Sequence, residues 1–327
     1  MTPFNYLLAK DLEEASTLSQ QHANSEFISG GTNLIDLMKE NISKPDALID
    51  INKISGINEI EELHDDGLRL GALVKNADTA YHPLVQKNYP LLSQAILAGA
   101  SPQLRNMASN GGNLLQRTRC YYFYDTATPC NKREPGTGCS AIGGYNRIHA
   151  ILGASENCIA VFPSDMCVAL AALDARINIF GSDGTRTVAF ADFHRLPGDT
   201  PDLDNNLKPG ELITSIDLPA EGFEFHSSYL KLRDRTSYAF ALVSVATALK
   251  IEDGIIKDAR LALGGLAHRP WRDVKAEEFL KEKEPTAKNF STAADIILRG
   301  AKGHEHNAFK IELARRAIIR NGLTAVN

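Results

Sequence analysis

Phe27 to Glu40 reads FISGGTNLIDLMKE: two apolar strand residues, the turn Ser29-Gly30-Gly31-Thr32-Asn33, then apolar residues at helical spacing from Leu34 through Leu37 and Met38. A strand that turns on paired glycines into a helix aims successive backbone N–H groups into one concavity, which suits a phosphate. The segment is neither G-x-G-x-x-G nor a P-loop, because no Lys-Ser/Thr follows the second glycine. Taken alone, a plain tight turn is the simpler reading. Met107 to Arg117, MASNGGNLLQR, then repeats the order: Ala108 and Ser109, the pair Gly111-Gly112, Asn113, and apolar Leu114. Two such loops can grip a diphosphate from two sides. A nucleotide cofactor is therefore expected, with Gly30, Gly31, Gly111 and Gly112 leaving room where a Cβ would crowd the diphosphate.

Directly after the second loop come five cysteines spaced C-x9-C-x8-C-x18-C-x8-C, from Cys120 to Cys167, and the remainder of the 327 residues has none. The segment CYYFYDTATPCNKREPGTGC, Cys120 to Cys139, is too polar to fold on its own apolar surface. Thiolates converging on a metal would tie it down. Zinc ligands come in closely spaced pairs, and none occurs here; the compact C-x2-C-x2-C run of ferredoxins is also missing. An iron–sulfur cluster, zinc, or bystander thiols all remain open on spacing. A disulfide framework fits poorly with an odd count and an opening, MTPFNYLLAK, that lacks an apolar export segment. Cys120, Cys130, Cys139 and Cys158 are the expected ligands. Cys167 sits in the apolar helical run PSDMCVALAALDA and reads as a small core residue.

The order ISGGTNL, LGALVKN, a long helix, RNMASNGGNLLQ, a cysteine-bearing loop, PSDMCVALAALDA and YLKLRDRTSYAFALVSVA resembles the FAD-binding subunits of molybdenum hydroxylases. The likeness spans nearly the whole chain. LLQRTRCYYFYDTATPCNKREPGTGC is most similar to the flavin subunits of three-subunit bacterial aldehyde oxidoreductases, which carry an additional 4Fe–4S cluster; the flavin subunit of 4-hydroxybenzoyl-CoA reductase carries a similar one. The resemblance implies that Phe27, Ile28, Ser29, Gly30, Gly31, Thr32, Asn33 and Leu34, with Met107, Ala108, Ser109, Gly111, Gly112 and Asn113, embrace the FAD diphosphate and ribityl chain. It implies a ribose contact at Asp165, a lysine near the cofactor at Lys231, and iron ligands at Cys120, Cys130, Cys139 and Cys158. Asp165 also suits a helix start, and Lys231 a solvated strand. Thr32 stands where a tethering histidine would be, so FAD is expected to be non-covalent. Tyr238 is the expected aromatic cover for the flavin.

The implied partners are a molybdopterin-binding large subunit, which oxidises the aldehyde, and a small [2Fe-2S] subunit that relays electrons to FAD and on to an external acceptor. Two rivals stand beside this reading: a flavin subunit like that of 4-hydroxybenzoyl-CoA reductase, and a non-enzymatic metal-binding scaffold whose glycine pairs are only turns. The implied fold is α+β: a two-lobed FAD-binding domain of the PCMH/vanillyl-alcohol-oxidase type at 1–222, with an inserted iron–sulfur loop at about 119–160, then a smaller α+β domain at 223–327.

A net charge of −5 gives no electrostatic reason for a nucleic acid or anionic membrane as partner, and no apolar run approaches a membrane span. The expected compartment is the cytoplasm, or the periplasm by export of the folded complex on a partner's signal. Strands and helices alternate up to Val74, and Asn76 to Leu97 has helical spacing interrupted by Pro83 and Pro90. Pro197 to Gly222 reads as the boundary; beyond it a meander turns at Asp253-Gly254 and three helices pack on it. His304-Glu305-His306 points its histidines to different faces and reads as a solvated helix start.

Overall fold

The computed structural model describes residues 1–326. Three sheets carry the fold. The first is parallel, with Ala47–Asp50 between Asn5–Leu8 and Ser25–Ile28. Its central strand, ALID, opens with three consecutive buried apolar residues, Ala47, Leu48 and Ile49, as a strand covered on both faces requires, and ends at Asp50. Helix Leu12–Gln21 connects the outer strands, capped by Asp11, whose side chain accepts from the Glu14 backbone N–H.

The second sheet is antiparallel and runs Ile60–Glu62, Leu68–Gly71, Leu212–Leu218, Arg176–Gly181, Gly184–Ala189. Leu212–Leu218 lies inside the Pro- and Gly-rich stretch expected to be a boundary. Its LITSIDL pattern places Leu212, Ile213, Ile216 and Leu218 in the interior, so it is a central strand flanked by loop residues. The long helical stretch is three helices, Asn76–Tyr81, Pro83–Asn88 and Pro90–Ala98, each proline opening a new helix at its first position. His82 and Tyr89, the residues before each proline, leave helical geometry.

The third sheet, Trp271–Arg272, Ile255–Gly264, Val243–Glu252, His226–Leu232, is also antiparallel. Asp253 and Gly254 both have positive φ, 51° and 77°, as a two-residue hairpin that matches strand twist requires. The pleat of Val243–Glu252 separates two environments. Ala246 and Ala248 face the core built around helices Pro90–Ala98 and Asp165–Ala172, while Val243, Val245 and Leu249 face helices Val274–Leu280, Ala287–Ile297 and Phe309–Val326. Small residues on the first face let helices approach closely, so this sheet joins the two halves of the chain. No helix among the described residues is long and apolar enough to cross a membrane.

Candidate functional site

The first glycine segment leaves strand Ser25–Ile28 and enters helix Leu34–Lys39, with Gly31 in the left-handed region at φ 68°. Among the described residues, the backbone N–H groups of Gly30 through Leu34 donate to no protein group. Five consecutive free donors are what an anion-binding concavity needs. Asn33 Nδ2 is buried without a partner beside them, while its Oδ1 accepts from the Arg117 backbone N–H at 2.8 Å.

The second segment differs. Asn110–Leu114 is a helical turn capped by Ser109, and the Asn110 and Gly111 N–H groups bond the carbonyls of Val74 and Ala72. Its donors are spent on its own placement. The two segments also touch: a Cβ on Gly30 would lie 2.0 Å from the Met107 carbonyl oxygen. That corrects the expectation that all four glycines clear space for the diphosphate. Gly30 is required by the neighbouring loop, and Gly111 packs against Ala72, where a Cβ would stand 3.1 Å from the Ala72 Cβ. Beneath the turn lies a polar network that the spacing did not disclose. Asn113 donates to Asn76 at 2.7 Å, Asn110 donates to Thr79 at 2.9 Å, and Ser164 donates to Asn113 at 2.6 Å.

Cys120, Cys130, Cys139 and Cys158 converge on one small cavity, and Phe123 and Ala141 pack around them. Cys130 and Cys139 face each other in an isolated antiparallel bridge. Burial pushes the Cys120 thiol up to about 12. A hydrogen bond between Cys158 and Cys139 holds Cys139 down, at about 6, and pushes Cys158 up. Buried thiols this crowded cannot all ionise without a compensating cation. Among the described residues, no group of three or more His, Cys, Asp or Glu side chains is disposed to hold a metal ion. Cys167 lies apart, fully buried in the core of helix Asp165–Ala172, with its thiol pushed up to about 12 by burial.

Two histidines absent from the sequence reading reach these sulfurs: His149 Nε2 lies 3.0 Å from Cys120 Sγ and His268 Nε2 3.3 Å from Cys158 Sγ. Burial holds their imidazoles down to about 4 and about 3. Arg117 connects the two sites. Its guanidinium bonds Asp204 at 2.7 Å and lies 4.9 Å from the centre of the Phe123 ring. Lys132, almost fully buried, pairs with the same carboxylate and donates to the Pro201 carbonyl at 2.6 Å. Burial raises the Asp204 carboxyl, but Lys132 and Arg117 outweigh it and hold the group below its usual range.

The chain matches two family patterns, one described as the FAD binding domain in molybdopterin dehydrogenase, over residues 2–221, the other as the CO dehydrogenase flavoprotein C-terminal domain, over 228–323. It is 47% identical to the aldehyde oxidoreductase FAD-binding subunit PaoB of Escherichia coli, across 97% of this chain and 96% of that one. The chain belongs to the FAD-binding subunits of the molybdenum hydroxylases. It is also 28% identical to the glyceraldehyde dehydrogenase medium chain of Sulfolobus acidocaldarius, over 84% of this chain and 80% of that one. The carbon monoxide dehydrogenase of Hydrogenophaga pseudoflava contains a chain of the same fold: TM-score 0.77, 25% identity, 99% of this chain and 98% of that one. The expected α+β architecture, a two-lobed FAD-binding domain followed by a smaller C-terminal domain, is therefore the fold of this flavin subunit, which is part of an oxidoreductase. The reading of the glycine segments as plain turns in a metal-binding scaffold falls with it.

Within the flavin subunit, Asp165 and Lys231 meet. They form a buried ion pair at 2.7 Å, with side chains 8% and 4% exposed, and Tyr229 donates to the other carboxylate oxygen at 2.6 Å. Both oxygens of Asp165 are thus engaged inside the protein, and the helix cap is Ser164, whose Oγ accepts from the Cys167 N–H. Lys231 is no solvated strand lysine; it also donates to the Ala98 carbonyl at 3.2 Å. Tyr238 is half exposed at φ 49° in the loop between strands His226–Leu232 and Val243–Glu252. His304 and His306 precede helix Phe309–Val326, and the His306 ring packs on Tyr145 at 5.1 Å.

Proposed function

We propose that the chain is the electron-transfer subunit of a molybdenum-dependent aldehyde oxidoreductase. It works with a molybdopterin-binding large subunit and a small [2Fe-2S] subunit and passes electrons to an external acceptor. The likeness to the aldehyde oxidoreductase subunit of Escherichia coli supports the substrate class. The observation that carries the reading is the junction at Arg117, which ties Asn33 of the free N–H run to the four-cysteine pocket. The proposal includes a division near residue 222, with an iron–sulfur loop at about 119–160.

Bound FAD supplies two-electron chemistry that can be loaded one electron at a time, and a 4Fe–4S cluster supplies single-electron transfer beside it. The residues of this chain hold and shield. The unpaired N–H groups of Gly30 to Leu34 would hold the phosphates of FAD, with Asn33 Nδ2 beside them. Cys120, Cys130, Cys139 and Cys158 supply the thiolate donors a cluster needs and line one cavity, in which no three described side chains are disposed around a single metal ion; they would hold the cluster, with Phe123 packed beside them. No residue is asked to act as acid, base or nucleophile on the aldehyde. With Thr32 in place of a tethering residue, FAD is held non-covalently.

Two measurements test this. Purified without partners, the flavin is expected to be bleached by dithionite and to stay oxidised under excess benzaldehyde in argon. Adding the molybdenum and [2Fe-2S] subunits restores reduction by aldehyde, whereas rapid bleaching of the lone chain would remove the subunit reading. The second concerns the thiols. Changing any of Cys120, Cys130, Cys139 or Cys158 to Ser should lower iron and acid-labile sulfide, while Cys167→Ser keeps about four of each per chain. Iron lost from Cys167→Ser but kept in Cys158→Ser would refute that ligand set.

A further inference from the structure

His149 and His268 come from distant parts of the chain, yet both present Nε2 to a cysteine sulfur. In His268 Nδ1 is buried with no hydrogen-bond partner, whereas the His149 ring also has the Asn146 carbonyl within reach. A proton on Nδ1 of His268 would leave a buried N–H without an acceptor, the costlier kind of orphan. Placed on Nε2, the proton meets sulfur. With that tautomer the rings would donate to sulfur, as a cysteine that gives up its proton to bind iron requires; the Nε2–Sγ distances of 3.0 and 3.3 Å allow it.

The segments carrying the rings meet at one junction, which the Lys310 side chain bridges. Lys310, in the first turn of helix Phe309–Val326, is fully buried and donates to the carbonyls of His149 at 2.8 Å and Gly265 at 2.5 Å. The Ile151 and Leu152 N–H groups both bond the Leu266 carbonyl at 3.0 Å, closing the same junction. Asn307 adds bonds to the carbonyls of His149 and Ala150, each at 3.2 Å. A long, buried amine spent entirely on backbone carbonyls, with burial lowering its pKa to about 7, is costly unless the geometry it fixes matters.

We propose that His149 and His268 are paired N–H donors to the sulfurs of Cys120 and Cys158, held in place by Lys310, and that they set the reduction potential of the iron–sulfur cluster. The inference rests on the cluster reading given under Proposed function. Hydrogen bonds to ligand sulfur disperse the negative charge added on reduction and so raise the potential. The two histidines act through the cysteines and are positioning residues. Helix Phe309–Val326, remote in sequence from the cysteines, thereby has a part in the electron path.

The test uses the full chain purified anaerobically with its partner subunits. Iron and sulfide are counted first, because a wild-type chain without them defeats the cluster reading itself, a failure distinct from that of the histidine assignment. In His149→Phe and His268→Phe, which keep a ring and lose the donor, iron stays and reduction becomes less favourable. Each donor lost is expected to change the reduction equilibrium about tenfold, or about 59 mV downward for a one-electron couple. Hyperfine coupling to an exchangeable proton near the reduced cluster should also weaken. Glutamine at either position restores an N–H and recovers part of the shift, and Lys310→Met lowers the potential with both histidines present. Unchanged potential and coupling in both phenylalanine variants overturns the proposal. So does loss of iron from both that glutamine fails to restore, since the rings would then serve assembly.

Discussion

Gly30→Val is expected to yield little folded flavoprotein, and Gly112→Ala to yield a folded one. The added Cβ at Gly30 would meet Met107 O at 2.0 Å and Met107 C at 2.7 Å, both backbone atoms that cannot swing aside. Relief requires the two glycine segments to part, at a cost of about 3 kcal/mol or more, the range of severe overpacking. Separation also dismantles the N–H concavity, so flavin and stability should fall together. At Gly112 the Cβ would face only Ser109 Oγ, at 3.0 Å, and the position is exposed. Gly31 is intermediate, since valine there combines a φ of 68° with contact to the flexible end of Ile35 at 2.6 Å. The measurements are flavin per chain from the visible spectrum and the thermal unfolding midpoint. Gly30→Val with full flavin and an unchanged midpoint would show that the segments do not pack as described. Gly112→Ala that folds but lacks flavin would show that the second segment meets the cofactor directly.

How far the sequence reached depends on the range of each interaction. Pro83 and Pro90 dictate where helices begin because their rings act within one turn, and Asp253-Gly254 makes a hairpin because two adjacent residues accept positive φ. The free N–H run was legible for the same reason, being fixed by Gly30-Gly31 and the helix that comes after them. Leu212–Leu218 was obscured because the Pro, Gly and Asp residues before it signal loop, and its sheet partners at 68–71 and 176–181 lie far away in sequence. His149 and His268 had no motif to announce them, since a histidine meeting a cysteine 29 or 110 residues away leaves no local spacing. Arg117 and Asp204 are likewise 87 residues apart. Cysteines are scarce and were clustered, so their pocket could be read. The shell that holds it is made of common residues whose roles exist only after folding. Asp165 and Lys231 show the same limit: each carried a separate expectation, and the structure makes them one pair.

Breaking that pair should be the largest effect of any conservative change away from the glycine segments. Lys231→Met leaves the Asp165 carboxylate buried with only the Tyr229 hydroxyl as donor. An uncompensated buried charge of this kind costs about 3–5 kcal/mol, mostly through desolvation that the partner no longer offsets. The site is structurally central, because Asp165 opens helix Asp165–Ala172, Lys231 lies on strand His226–Leu232, and Lys231 also bonds the last residue of helix Pro90–Ala98. Loss of the pair therefore loosens the contact between the two halves of the chain. Replacing both partners with apolar residues of similar size, Asp165→Leu with Lys231→Met, should recover much of the loss, since a buried pair contributes little beyond an apolar equivalent. Unfolding of the singles and the double in denaturant gives the coupling directly. Effects that simply add would mean that the two charges do not depend on each other. Flavin content supplies an independent axis. If Asp165→Asn sheds flavin while its unfolding free energy stays at the wild-type value, the carboxylate serves the cofactor in addition to Lys231. If stability and flavin fall in proportion, its work is to join the two halves around the flavin.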